Sequence, residues 1–358
     1  MKTRGLLAFL LIATALFSSS CCSNEGKEAP KKAKNVIVLI GDGMGPAQVY
    51  SLILTSQEKT AFERFPYSGF SITKSASNEI TDSAAGGTAI AIGQKTNNGV
   101  VGMSADSIPV PSMLDLFAQQ GKKTGVVVTC SITHATPADF LANNITRKDD
   151  EGIAFEIANK PYVNVLFGGG KKYFTERKDS LDLYNTMWDN GWNIYDSLSQ
   201  ITDNQARTMV LTCRKHMVKA PERGNFLPEA TAKAIEMLDN ENGFFLMVEG
   251  SQIDFACHDN DSTTLVEEMK DFNRTLNVVL DFAERDGNTL VVVTADHETG
   301  GLTIVDPQGK YTRTDFKWST GSHSAVFVPV FSFGPGAENF SGIMDNTEII
   351  SKIMEIAQ

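Results

Sequence analysis

The chain reads as an α/β protein with a mostly parallel central sheet and helices on both faces. Three observations predict this. Apolar β-branched runs alternate with amphipathic segments, the order expected of a helix-covered parallel sheet. A length of 358 residues with 42% hydrophobic side chains supports a large core, in one domain or two smaller ones. Charged residues follow several of the apolar runs, and ligands of open α/β sheets bind beyond the carboxyl ends of strands.

At the N-terminus, Lys2 and Arg4 precede the apolar stretch Leu6 to Phe17, then Ser18, Ser19, Ser20 and the pair Cys21 and Cys22. The apolar run is short for a membrane span and small residues follow it, so residues 1–22 are expected to be an export signal that is cleaved. It resembles a bacterial lipoprotein signal, with Cys21 or Cys22 as the lipidated residue and a serine where leucine is expected. An ordinary secretory signal is the alternative. Export would leave the chain periplasmic or anchored at the outer membrane. Residues 23–34 are polar, with Lys27, Glu28, Pro30, Lys31 and Lys32, and suit a tether. A single α/β domain is expected over 35–358.

Strands are expected at Asn35 to Ile40, Gly69 to Thr73, Thr124 to Thr129, Val163 to Phe167, Phe244 to Val248, Thr289 to Thr294 and Phe327 to Phe333. Helices are expected at Pro46 to Leu54, Ala84 to Ile92, Ser112 to Gln120, Glu151 to Ala158, Pro228 to Asp239, Thr263 to Glu284 and Asn346 to Ile356. Residues 171–226, with Trp188 and Trp192, have weak periodicity and read as an insertion at the rim of a site. Residues 298–322 read similarly, with turns at Gly300, Gly301, Pro307 and Gly309. No internal repeat or low-complexity segment is visible.

The net charge is -11, and loss of the signal removes cations and no acid. Such acidity argues against nucleic acid as a partner. It does not exclude a small anionic substrate, because bound metal ions can reverse the local field. Beyond the signal, Cys130, Cys213 and Cys257 give no disulfide framework. Cys130, after an apolar run, reads as a small buried hydrophobe rather than a ligand.

The chemistry-bearing residues each admit a plain reading. Asp42, in Gly41-Asp42-Gly43-Met44-Gly45, follows Val36 to Ile40 and is either a ligand or a helix cap in a glycine-rich turn. Glu249 closes Phe244 to Val248. Asp254 and His258 would share a helix face and could grip one ion, or form a solvated pair. Asp296 and His297 follow Leu290 to Thr294 and reach one ion only if the chain leaves strand geometry there; a polar strand end is the alternative. His323 has a metal role only as a member of the set. Ser83 opens a small-residue helix, where unpaired amides favour an alkoxide or phosphate, or it is a cap. Arg147 could hold two phosphoryl oxygens or lie on the surface. Clustered carboxylates repel one another without a cation, so the set together points to a multi-metal centre beside a nucleophile.

With these motifs assembled, the chain resembles the alkaline phosphatase family from about Asn35 onward. The resemblance rests on Gly41-Asp42-Gly43-Met44-Gly45, Thr81-Asp82-Ser83-Ala84-Ala85, His134-Ala135-Thr136-Pro137-Ala138, Val248-Glu249-Gly250 with Asp254 and His258, Thr294-Ala295-Asp296-His297-Glu298, and Gly321-Ser322-His323. It implies hydrolysis of small phosphate monoesters through a phosphoserine on Ser83. It also implies one zinc ion at Asp254, His258 and His323, a second at Asp42, Asp296 and His297, and a third ion, usually magnesium, at Asp42, Thr136 and Glu249. Arg147 corresponds to the phosphate-binding arginine and His134 to a residue behind the third ion. His134 stands where some bacterial members carry aspartate, and Phe255 where some carry a basic residue. The short span from His297 to His323 implies a reduced crown; a homodimer and a lipid anchor both stay open. The rivals are a phosphodiesterase or other phosphoryl-transfer enzyme of the same superfamily, and a noncatalytic metal-binding surface lipoprotein. The latter would not need both Ser83 and Arg147. No Cys-x-Pro-x-Arg motif occupies the nucleophile position, which argues against a sulfatase.

Overall fold

The structure, a computed structural model, describes residues 32–309 and 314–357. The expected export signal, with Cys21 and Cys22, and most of the tether lie outside the described residues. In chain order the first half of the fold comprises β1 (Asn35–Gly41), α1 (Pro46–Thr55), β2 (Tyr67–Ile72), α2 (Ser83–Ile92), α3 (Met113–Gln119), β3 (Lys123–Ser131), α4 (Ala135–Leu141), α5 (Asp150–Asn159) and β4 (Val165–Gly169). There follow α6 (Lys172–Thr175), α7 (Leu183–Asp189), β5 (Trp192–Tyr195), β6 (Arg207–Leu211), α8 (Ala220–Arg223), α9 (Phe226–Leu238), β7 (Phe244–Gly250), α10 (Gln252–His258), α11 (Ser262–Asp286) and β8 (Thr289–Thr294). The chain closes with β9 (Glu298–Thr299), β10 (Thr303–Val305), β11 (Asp315–Lys317), β12 (His323–Ser324), β13 (Val328–Phe333), β14 (Gly342–Asp345) and α12 (Glu348–Ile356).

Among the described residues, ten strands form one sheet in the order β14-β2-β13-β8-β1-β7-β3-β4-β6-β5. Pairing is parallel except for β13, which runs antiparallel to both β8 and β2. The expected α/β fold is therefore present. Alternate residues of each central strand feed two apolar layers, as the two-residue period of a strand requires. Val36, Val38 and Ile40 of β1 pack with Ala84, Phe117 and Phe140 from α2, α3 and α4. Ile37 and Leu39 pack with Leu52, Ala234 and Phe272 from α1, α9 and α11.

Residues 171–226, read from sequence as a rim excursion, supply β5 and β6 to one end of the sheet. Between His297 and His323 the described residues form β9 and the antiparallel pair β10 and β11.

The central order β8-β1-β7-β3 positions the site. Ile40 lies opposite both Glu249 and Thr294, and Val128 lies opposite Glu249, so β1, β7 and β8 finish at nearly one level and β3 runs on to Ser131. The residues that follow them emerge side by side, at the edge where parallel sheets bind ligands.

Candidate metal centre and nucleophile

Asp254 and His258 lie one turn apart on α10, and β12 brings in His323. The His258 and His323 Nε2 atoms are 3.2 Å apart. They lie 3.4 and 3.8 Å, respectively, from the Asp254 carboxylate. The other nitrogen of each ring is committed: His258 Nδ1 lies 2.8 Å from the Gly321 carbonyl and His323 Nδ1 lies 2.8 Å from the Thr81 carbonyl. A carbonyl can only accept, so each neutral ring carries its proton on Nδ1 and turns its Nε2 lone pair to the other ring and to Asp254. Two lone pairs and a carboxylate meeting without a donor fit a cation.

Asp42, Asp296 and His297 repeat the pattern with complete burial. His297 Nε2 lies 3.5 Å from Asp42 Oδ1 and 3.3 Å from Asp296 Oδ2. Thr299 fixes the ring: its hydroxyl donates to Asp254 Oδ1 at 2.5 Å and lies 3.1 Å from His297 Nδ1, which must then carry the proton. Both oxygens of Asp42 and Oδ2 of Asp296 are buried with no hydrogen-bond partner among the described residues. Burial, reinforced by the charges of Asp296, Asp254 and Glu249, pushes the Asp42 carboxyl far above its usual range. Burial likewise raises Asp296 and holds His297 well below an ordinary imidazole. A bound cation would reverse the penalty on both carboxylates, and the neutral imidazole that burial favours at His297 is the form that can ligate it. The chain leaves strand geometry at Ala295, which lets Asp296 and His297 point to one place. Asp42 caps no helix, because the residue before α1 is Gly45 and offers no side chain.

A third cluster lies one strand over. Glu249 Oε1, Thr136 Oγ1 and His134 Nδ1 are buried with no hydrogen-bond partner among the described residues, while Glu249 Oε2 accepts from Ser251 Oγ at 2.7 Å and from Cys130 Sγ at 3.4 Å. Burial pushes the Glu249 carboxyl up to about 7.

Ser83 is the first residue of α2 and its hydroxyl lies 3.1 Å from His297 Nε2. The cap is Asp82, which accepts from the Ala85 amide at 3.0 Å, so Ser83 is free of that duty. α2 is buried throughout and its first turns are built of small residues, because they run against the backbone at Asp296. A Cβ on Gly86 would stand 2.5 Å from the Asp296 carbonyl. Arg147 is three-quarters buried, 3.1 Å from Asp82 Oδ2 and 3.3 Å from His134 Nε2, and not a surface residue. Phe255 offers no charge and packs edge-on against His134 and His216.

The structure thus groups Asp254 with His258 and His323, Asp42 with Asp296, His297 and Ser83, and Glu249 with His134, which Arg147 adjoins. Sequence reasoning overlooked Asp82, Thr299, His216 and the placement of Cys130. Asp82 had a signal, since aspartate directly before a helix is a cap. Thr299 had none, because its role depends on two residues far away in sequence.

The family model for alkaline phosphatase matches residues 33–312. Alkaline phosphatase 4 of Bacillus subtilis is 32% identical, covering 99% of this chain and 97% of its own. The structure of alkaline phosphatase from the Antarctic bacterium TAB5 superposes with a TM-score of 0.88 at 40% identity, over 92% of this chain and 99% of that one. Variants of the TAB5 enzyme in which a histidine is replaced by glutamate or aspartate have magnesium bound in a site called M3. The cold-active enzyme of Shewanella sp. gives 0.83 at 31% identity, over 90% and 100% of the two chains. A matched model across most of the chain, a full-length relative and a shared fold with its cation-ready carboxylates agree: this chain belongs to the alkaline phosphatase family.

Proposed function

We propose that the chain hydrolyses phosphate monoesters with Ser83 as the nucleophile, Arg147 as the clamp on the phosphoryl group, and metal ions held by the three clusters. The supporting observation is the 3.1 Å approach of the Ser83 hydroxyl to His297 Nε2, beside carboxylates that lack hydrogen-bond donors. Two zinc ions, one at Asp254, His258 and His323 and one at Asp42, Asp296 and His297, would supply positive charge to the attacking and leaving oxygens and lower the pKa of the Ser83 hydroxyl. A third divalent ion, magnesium by the family pattern, would belong at Asp42, Thr136 and Glu249.

Ser83 gives its proton to solvent, its oxygen bonds to phosphorus as the ester bond breaks, and the departing alkoxide takes a proton from water to leave as the alcohol. Because Ser83 opens α2, the partial positive charge of that helix N-terminus would lie beside the transferred group and offset its charge. Arg147 donates to two phosphoryl oxygens, and Asp82 keeps that guanidinium in place. Water then attacks phosphorus and releases Ser83 and inorganic phosphate. Arg147 and a third cation favour a dianionic monoester over a diester, whose phosphate carries one charge fewer. As part of the same proposal the chain is exported through residues 1–22, with a lipid anchor on Cys21 or Cys22 holding it in the periplasm or at the outer membrane; the basic, apolar and small-residue order of that segment supports this.

The test is acid-quench trapping with a labelled aryl phosphate after zinc and magnesium reconstitution. Label is expected on Ser83 and is absent in S83A. Undiminished turnover by S83A, or by chelator-stripped protein, would refute the reading.

A further inference from the structure

Glu298 is a buried carboxylate outside the three clusters, and the chemistry above gives it no task. It directly follows His297 and is 3% exposed. Each of its oxygens accepts two hydrogen bonds. Oε1 takes Gln48 Nε2 at 2.7 Å and the Leu302 amide at 3.2 Å, while Oε2 takes the Gly301 amide at 3.1 Å and the Ser324 hydroxyl. All four donors are neutral, so Glu298 is not half of an ion pair among the described residues. Burying a carboxylate is costly unless its acceptors are filled, and here α1, the turn after β9 and β12 each supply donors.

Those segments carry or adjoin the proposed zinc ligands. Gln48 is on α1, just past the Asp42 turn, and a Cβ on Gly45 would stand 2.3 Å from Glu298 Cγ, so that turn packs directly on the Glu298 side chain. Ser324 follows His323, and β12 pairs with β9 so that His323 lies opposite Thr299 and Ser324 opposite Glu298. The His297 and His323 rings stack across this pair, with centroids 3.6 Å apart and planes 17° from parallel. Each strand of the pair is only two residues long, too short to hold two rings in place by backbone bonds alone.

We propose that Glu298 is a positioning residue for both zinc positions: by joining α1, β9 and β12 it sets the separation of His297 and His323, one ligand from each position. The inference rests on the phosphatase reading above and names the residue that spaces its ligands. Both oxygens of Glu298 are already filled, so it is not itself a ligand. It acts through Ser324 on the strand of His323, and through Gln48, which also donates to the Thr299 carbonyl at 2.8 Å, on the strand that follows His297.

The test uses the full chain, labelled with nitrogen-15 and stripped by chelator, in which the rings of all five histidines can be followed by resonance. His323, whose Nδ1 is held by the Thr81 carbonyl, is the reporter, and His216, which packs on Phe255, is the control. In E298A and S324A the His297 and His323 signals are expected to shift or broaden while the His216 signal stays. Zinc affinity, read by competition with a chromophoric chelator, should fall about 10–100-fold in both. E298Q keeps one oxygen for Gln48 and Leu302 and can donate to the Ser324 hydroxyl, so it should recover part of each loss. A purely structural role predicts lower urea stability with ring signals and zinc affinity of the folded protein at wild-type values, and that result overturns the proposal. If E298A does not fold, S324A decides, because it removes a single hydroxyl: wild-type ring signals and zinc affinity in S324A sink the proposal. Hydrolysis of an aryl phosphate by the same samples keeps the two readings apart. Wild type that binds zinc without hydrolysis faults the phosphatase assignment alone, and active variants with wild-type zinc affinity fault this inference alone.

Discussion

The guanidinium of Arg147 lies 3.1 Å from the carboxylate of Asp82, the residue that caps the helix beginning at Ser83. One side chain therefore registers both the proposed clamp and the proposed nucleophile. Asp82 also accepts from the Gly99 amide at 3.0 Å, which ties the loop before Arg147's own anchor to the same oxygen pair.

Removing the clamp should weaken ground-state and transition-state contacts together. A charged hydrogen bond contributes about 1.5–3 kcal/mol, so Arg147→Ala should lower kcat/KM for an aryl phosphate, and weaken inhibition by inorganic phosphate, by about 10–100-fold. Asp82→Ala should lose the clamp's anchor and also about 1 kcal/mol of stability from the missing cap. Steady-state kinetics and urea melts separate the two, and an Arg147→Ala enzyme with unchanged phosphate inhibition would contradict the assignment.

The cation-ready carboxylates make opposite demands on loaded and stripped protein. Asp42 is wholly buried beside Asp296, so Asp42→Asn should raise the melting temperature of chelator-treated protein by relieving like-charge repulsion. The same variant should lose the gain in melting temperature that zinc gives the wild type. A drop in melting temperature under chelator would show that Asp42 is held by something other than repulsion.

Stripped protein should also respond to pH in a set direction. The Glu249 carboxyl is pushed from 4.5 up to about 7 by burial. A raised acid binds protons more tightly folded than unfolded, so its contribution is full below about 4.5 and is lost as pH rises to about 7. Chelator-treated wild type should therefore weaken between those values, and Glu249→Gln should flatten that part of the curve. Thermal melts in a buffer series give the answer, and a wild-type curve rising over this window would be inconsistent with it.

Far from the site, Arg223 at the end of α8 is buried against α11, 2.5 Å from Glu268 and 2.8 Å from Asp271. Arg223→Ala leaves those acids without their buried partner and should destabilise by about 3–5 kcal/mol. The triple replacement by apolar residues of similar volume should recover most of that loss. Denaturant unfolding measures both, and a loss under about 1 kcal/mol for the single variant would mean that water reaches the network.

Much of this was legible because buried parallel strands must be apolar and their ends need not be. Residues 36–40, 244–248 and 290–293 are continuous apolar runs, and Asp42, Glu249 and Asp296 shortly past them stand out against them. β5 was missed because it ends the sheet, where Asn193, Ile194 and Tyr195 are only half-buried and carry little alternation, and β6, buried from Thr208 to Leu211, was missed because that run is short. Cys130 is fully buried in the apolar layer, as its sequence context suggests, but its contact with Glu249 was not legible, because a thiol looks the same in sequence whether its neighbour is a leucine or a carboxylate. Only the parallel register of β3 with β7, which sets Val128 opposite Glu249, brings that acid within reach.

The carbonyl of Thr81 holds the His323 ring, and two residues later the chain becomes the serine that opens α2. On the proposed assignment, a larger ion needing that imidazole further back would drag this short tether and with it the Ser83 oxygen. Ion radius and attack angle would then be mechanically linked, so that a metal swap would act on aim as well as on charge.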